Sequence, residues 1–215
     1  MKKLTITMII LLIGITTLFS QIPRVPGLPF HLGIKGHFNL TKFSGSDTIT
    51  EKGKISWGPG FNIGPYINFN LSNIGIQGEL LYSMRGCKTE FSDTMHNVNI
   101  ENEIKLSYID IPILLKFNLP IPTMGVSMYT GGVFGIKISE DAKMKINGVE
   151  QTANNDDVAE SNDFGWIFGA DLNFSGIVLD ARYTLGLKKI VKEKNGYQSP
   201  YKNSTISFGI GYQFI

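Results

Sequence analysis

The sequence predicts an all-β protein, an eight-stranded antiparallel up-and-down transmembrane β-barrel preceded by a cleavable signal peptide. Three observations carry this. Apolar residues recur with a period of two in eight segments of the 215-residue chain, the spacing of strands with one greasy face. The connections between those segments alternate short and long without exception. The first twenty residues have the make-up of an export leader.

The leader is MKKLTITMIILLIGITTLFSQ. Lys2 and Lys3 give a positive start, the run from Leu4 to Phe19 is broken only by Thr and Gly14, and Ser20 is a small residue before Gln21. This predicts a signal peptide over residues 1–20, too short to span a membrane comfortably. No Cys follows the run, which argues against a lipid anchor. Residues 21–29 form a Pro-rich lead-in expected to be irregular. The barrel is expected over residues 30–215.

The first segment, FHLGIKGHFNL, sets Phe30, Leu32, Ile34, Phe38 and Leu40 against His31, Lys35, His37 and Asn39. The second, WGPGFNIGPYINFN, opposes Trp57, Phe61, Ile63, Ile67 and Phe69 to glycines, Asn62, Tyr66 and Asn68. IGIQGELLYSMRG opposes Ile74, Ile76, Leu80, Tyr82 and Met84 to Gln77, Glu79, Ser83 and Arg85. The fourth, YIDIPILLKF, places Ile109, Ile111, Ile113, Leu115 and Phe117 on one face and Tyr108, Asp110, Pro112, Leu114 and Lys116 on the other. Pro112 cannot donate to a ladder, so a bulge or local gap is expected there. MGVSMYTGGVFGIKI, FGWIFGADLNF, GIVLDARYTLGL and NSTISFGIGYQF repeat the pattern, with Ser127, Tyr129, Lys137, Asp171, Asp180 and Arg182 on the polar side.

Short turns are expected at Leu71–Asn73, Pro120–Thr123 and Ser175–Gly176. Long polar loops are expected at 42–55, 87–102, 139–162 and 188–202. Alternation of this kind is the mark of an outer-membrane barrel, with short periplasmic turns and long extracellular loops. Both mature termini then fall on the periplasmic side.

Alternation leaves the phase open, since a lipocalin-like barrel would turn its apolar face inward. Volume settles it. An eight-stranded barrel has a lumen just wide enough to be filled by side chains. The apolar face carries Phe30, Phe38, Trp57, Phe61, Phe69, Tyr82, Phe117, Phe134, Phe164, Trp166, Phe168, Phe174, Tyr183, Phe208, Tyr212 and Phe214, too many rings for such a lumen. The apolar face therefore meets outer-membrane lipid. Phe30, Trp57, Phe69, Phe174 and Phe214 sit near strand ends, where interfacial girdles lie. The charges face a dry lumen and must pair. A structural polar network is expected, with Glu79, Arg85, Asp110, Lys116, Asp180 and Arg182 at its core.

Pieces of the chain resemble the PorT-like outer-membrane β-barrel proteins of Bacteroidetes-type bacteria. They are LGIKGHFNLTKF, GELLYSMRGCK, YIDIPILLKF, YTGGVFG, DFGWIFGAD, LDARYTLGL and ISFGIGYQFI, in order over the mature chain. The Y-x-[DE]-I-P-x-L-x-K piece is the most specific. The resemblance implies an eight-stranded outer-membrane barrel. Through the namesake it also implies an association with protein secretion across that membrane.

Composition excludes several function classes. Charge is +2, and removing Lys2 and Lys3 leaves 18 basic against 18 acidic residues. No basic patch points to nucleic acid. A lone Cys87 allows no intrachain disulfide. Ser92, Asp93 and His96 share one expected loop, but a triad is a geometry, and a solvated loop is the plainer reading. His31 and His37 stand too far apart along a strand for one metal, about 20 Å. Asn154–Asp157 with Glu150 and Glu160 lacks the spacing of a calcium loop. Gly131, Gly132 and Gly135 precede no helix, so no phosphate cradle forms. Glu79 with Asp110 could form a carboxylate pair, but nearby cations favour ion pairing.

The expectation is a non-enzymatic integral outer-membrane barrel without cofactors. Its role would be structural, interaction or secretion-accessory, through loops contacting other envelope or secretion proteins. A ligand-binding or narrow-pore barrel is the alternative, and a hydrolase or acyltransferase at the rim a more distant one.

Overall fold

Antiparallel ladders run right round the molecule and close it. The structure is a computed structural model describing residues 29–44, 53–93, 98–121, 124–151, 159–189 and 202–214. Its strands are β1 (Phe30–Ser44), β2 (Gly53–Leu71), β3 (Ile74–Glu79), β4 (Leu81–Asp93) and β5 (Val98–Leu119). They continue with β6 (Gly125–Ile146), β7 (Val149–Gln151), β8 (Asn162–Phe174), β9 (Ile177–Gly186) and β10 (Lys202–Gln213). β1 pairs with β2 on one side and β10 on the other. β3 and β4 form one stave between β2 and β5, and β7 is only a short hairpin strand on β6. Ten strands thus make a closed barrel of eight staves.

The split in the third stave falls opposite proline. Gly78 pairs with Ile113 and Leu81 with Asp110, so Glu79 and Leu80 lie against Pro112 and Ile111 with the register kept. Pro112 is thus met by a gap in the ladder and not by a bulge, because it has no N–H to offer. Register shifts lie elsewhere, between Trp57 and Phe61 on β2 and between Ser107 and Tyr108 on β5.

Two short turns, at 72–73 and 175–176, lie at one end, and the expected turn at Pro120–Thr123 falls partly outside the described residues. Ser72 takes a φ of 59°, and Ser175 and Gly176 take 51° and 91°. At Ser175–Gly176 both central residues have positive φ, the conformation whose twist suits a two-residue hairpin, whereas at Ser72–Asn73 only the first does. The opposite end departs from the expected loops. β4 and β5 run on to Asp93 and from Val98, inside the expected loop 87–102. β6 runs to Ile146 and turns at Asn147–Gly148 (φ 50° and 79°) into β7, inside the expected loop 139–162. Asn-Gly is the strongest short hairpin signal, and it sits here in a segment that reads as polar loop. The expected loops at 42–55 and 188–202 are likewise trimmed by β1, β2 and β10. β5 and β6 reach 22 residues each, twice the roughly 9–11 that cross a membrane. With the start of β2, the end of β4 and β7 they form a sheet that stands above the rest of the barrel.

The alternating faces are as the volume argument requires. Outward residues on β5 include Ile111, Ile113, Leu115 and Phe117, the last half exposed, while Tyr108, Asp110, Pro112, Leu114 and Lys116 are buried inside. Trp57, Phe61, Phe134, Trp166, Phe168 and Phe208 are likewise exposed on the outer wall. Bulky inward groups lie over glycines directly across the ladder: Tyr66 over Gly33, Tyr129 over Gly169 and His37 over Gly209. A ring inside so narrow a barrel needs a neighbour without a side chain.

Candidate functional site

Among the described residues the lumen holds two ion clusters separated by an apolar layer, and a further pair, Lys137 with Glu140 at 2.7 Å, lies outside both. Alternation sends every second side chain inward, so charges on β1, β3, β5, β8 and β9 meet at one height. In the first cluster, Arg182 is the hub. Its Nη1 and Nη2 donate to Glu79 at 2.8 and 3.1 Å, and its Nε and Nη2 donate to Asp180 at 3.0 and 3.1 Å. Asp180 also accepts from Lys35 Nζ at 2.8 Å and Tyr129 Oη at 2.7 Å, with His37 Nε2 at 3.0 Å. Lys116 Nζ donates to Asp171 at 2.5 Å and to Gln77 Oε1 at 3.2 Å. Three carboxylates, three long cations and one His share this layer.

The second cluster centres on Arg85. It donates to Asp110 at 2.5 Å and to Asp163 at 2.6 Å, and its guanidinium lies 4.8 Å from the centre of the Tyr108 ring. Asn203 Nδ2 donates to Asp163 at 2.8 Å. Leu81, Leu114, Val133 and Ile167 are buried in the lumen, the last three packed together with Tyr129. A space of only about 20 Å³ remains among Arg85, Asp110, Pro112 and Arg182, room for about one water.

The six residues singled out from sequence are all buried, but they do not form one group. Glu79, Lys116, Asp180 and Arg182 lie in the first cluster, and Arg85 and Asp110 in the second. Glu79 and Asp110 are each held by a different arginine, so they make no carboxylate pair. Asp163 and Asn203 escaped the sequence reading. Asp163 shares the parity of Gly165, Ile167 and Asp171, so starting that segment one residue earlier would have found it. Asn203 lies where β10 begins, at the edge of an expected loop.

The other candidates are dispersed. Ser92 and Asp93 end β4, while His96 lies outside the described residues, as do Asn154–Asp157. Glu160 pairs with Lys188 at 3.4 Å. His37 is in the first cluster, whereas His31 lines the short-turn end of the lumen. Gly131, Gly132 and Gly135 are strand residues of β6. Among the described residues no group of three or more His, Cys, Asp or Glu is placed to hold a metal.

The family described as outer membrane protein beta-barrel domain matches residues 19–192. No curated protein matches the chain. Among solved structures, the chain is similar to outer membrane protein OprG of Pseudomonas aeruginosa, at 8% identity and TM-score 0.49 over 86% of this chain and 96% of that one. It is similar to surface protein NspA of Neisseria at 14% identity and TM-score 0.45, over 84% and 96%. It is similar to Ail, the attachment invasion locus protein of Yersinia pestis, at 14% identity and TM-score 0.41, over 86% and 99%.

Proposed function

The chain belongs to the outer membrane protein beta-barrel domain family, and from that premise we propose a non-enzymatic interaction or secretion-accessory role in the bacterial outer membrane. In this reading residues 1–20 are removed on export. The short turns and both mature termini face the periplasm, and the raised sheet faces out of the cell. The resemblance to PorT-like proteins supports secretion as the setting.

The observation that carries the reading is the raised sheet itself. Beyond Ile136, which pairs with Asn162, β6 leaves β8 behind, and β7 covers only Met144–Ile146. Lys137 N still donates to Ser161 O at 2.8 Å and Ala159 N to Glu140 Oε2 at 3.2 Å, and past them, over residues 141–143, no strand lies on that side of β6 among the described residues. An open edge of this kind offers backbone donors and acceptors to an incoming strand. Lys143 and Lys145 stand exposed beside it. The lumen, filled by paired ions, is structural in this reading.

A photo-crosslinking amino acid at Lys143 tests the proposal in intact cells. A discrete protein adduct is expected there, with none from the lipid-facing position Phe168. Replacing Val149 by Pro, which disturbs the short β7 ladder, should change or abolish the adduct. Absence of any adduct from the raised sheet would refute the interaction role.

A further inference from the structure

On two neighbouring staves the apolar outer wall ends in lysine at the long-loop side. On β1 the outward row runs from Phe30 through Phe38 and Leu40 to Lys42, and on β10 it runs from Tyr212 through Phe208 and Ile206 to Lys202. Phe38, Phe208 and Tyr212 are exposed on that wall. Neither strand carries an acid, and the short-turn ends of both rows bear no charge. The two boundaries of the apolar belt therefore differ in kind.

β1 and β10 form the ladder that closes the barrel, and its register brings the two lysines together. Lys42 pairs with Ser204 and Ser44 with Lys202. Lys42 and Lys202 are thus diagonal neighbours, with Cα atoms about 7–8 Å apart. Alternation puts both on the outer face, because Thr41 and Asn203, next to them in the chain, are buried, and Asn203 reaches Asp163 in the lumen. Lys42 Nζ lies 4.9 Å from the centre of the Trp57 ring, which is itself exposed on the outer wall. An ammonium has three donors, so one resting on a ring keeps donors for a further acceptor. Tryptophan is enriched at the membrane–water boundary. Lysine stems lie along apolar surface while their heads reach that boundary. Two like charges so close favour an anion between them, and at this height the anions at hand are lipid headgroups.

We propose that Lys42 and Lys202 together bind the phosphate of an anionic outer-leaflet glycolipid, beside Trp57. A phosphate offers a separate oxygen to each ammonium. The site lies on the wall of β1 and β10, away from β6 and β7, and goes beyond the interaction role. Only the choice of leaflet rests on the orientation given above.

The test uses the full chain in detergent micelles with Trp166→Phe, which leaves Trp57 as the remaining tryptophan. Its fluorescence is followed during titration with diphosphorylated lipid A, dephosphorylated lipid A, phosphatidylglycerol and inorganic phosphate. A saturable change is expected with diphosphorylated lipid A. Lys42→Gln and Lys202→Gln should each weaken that binding about fivefold, and together about 25-fold. Lys145→Gln on the raised sheet should leave it unchanged. Equal binding of the dephosphorylated lipid, or unchanged affinity in the folded double variant, would overturn the phosphate site. Inorganic phosphate binding as tightly as the lipid would overturn the lipid as its ligand. Tighter binding of phosphatidylglycerol than of lipid A would overturn the outer-leaflet assignment, and with it the orientation. If the double variant lacks the folded band on an unheated gel, salt takes its place. Affinity that stays constant between about 50 mM and about 500 mM salt with both lysines present would then overturn the site. A cross-link from Lys143, present or absent, tests the interaction role alone.

Discussion

Arg182 satisfies two carboxylates with one planar group, and geometry explains why it is arginine. Its fork meets Glu79 through two nitrogens and Asp180 through two, with one nitrogen shared. A lysine ammonium is a point charge and cannot reproduce that pattern. Replacing Arg182 by Met would leave Glu79 and Asp180 buried beside too few cations. Loss of one partner from a buried ion pair costs about 3–5 kcal/mol. The expected outcome is a lower unfolding midpoint in detergent for Arg182→Met, with Arg182→Lys recovering only part of the loss. An unchanged midpoint for Arg182→Met would show that the cluster contributes nothing to stability.

At the scale of strands, the barrel is held to its small bore by glycines facing rings. Tyr129 lies across the ladder from Gly169, and no Cβ fits at Gly169 without moving that ring. Moving it would also break the Tyr129 bond to Asp180. Gly169→Val should therefore destabilise the folded barrel by about 1–3 kcal/mol through overpacking. The same change should cost less when Tyr129 is already Ala, since the clash is then gone. A double-mutant cycle in thermal unfolding reads the difference, and equal costs in the two backgrounds would contradict the ring-on-glycine packing.

For the whole molecule, an apolar outer wall and a charge-paired interior define opposite solvents on the two sides of a single sheet. Such a barrel should migrate differently on SDS gels before and after boiling and should leave membranes only with detergent. Its lumen should not conduct. With space for only about one water between the two clusters, planar bilayers holding the protein should show no steady ion current. A steady current of constant size would mean that the ion layers open, and the pore reading would replace the structural one.

The limits of sequence reading follow from particular residues. Asp110 and Lys116 are separated from the Ile row by parity alone, and parity is a local property of an extended chain. That is why strand existence, facing and the phase of the barrel were legible, the last by adding the volume of sixteen rings to the width of an eight-stranded lumen. Asn147–Gly148 carries a local hairpin signal, but it sits inside a polar stretch whose composition is that of a loop, which hides the raised sheet. The division of the charges between two arginines was not legible at all. Arg182 and Glu79 stand 103 residues apart, and Lys35 and Asp180 stand 145 apart. Alternation says that each points inward but not at what height. Height is set by the stagger of one stave against the next round the closed barrel, and closure joins β1 to β10, the two ends of the fold. The chain's own periodicity thus settles which side each residue faces, whereas the register of closure settles which residues meet. The reason is that a side chain's facing depends on its immediate neighbours and its partner depends on every ladder between.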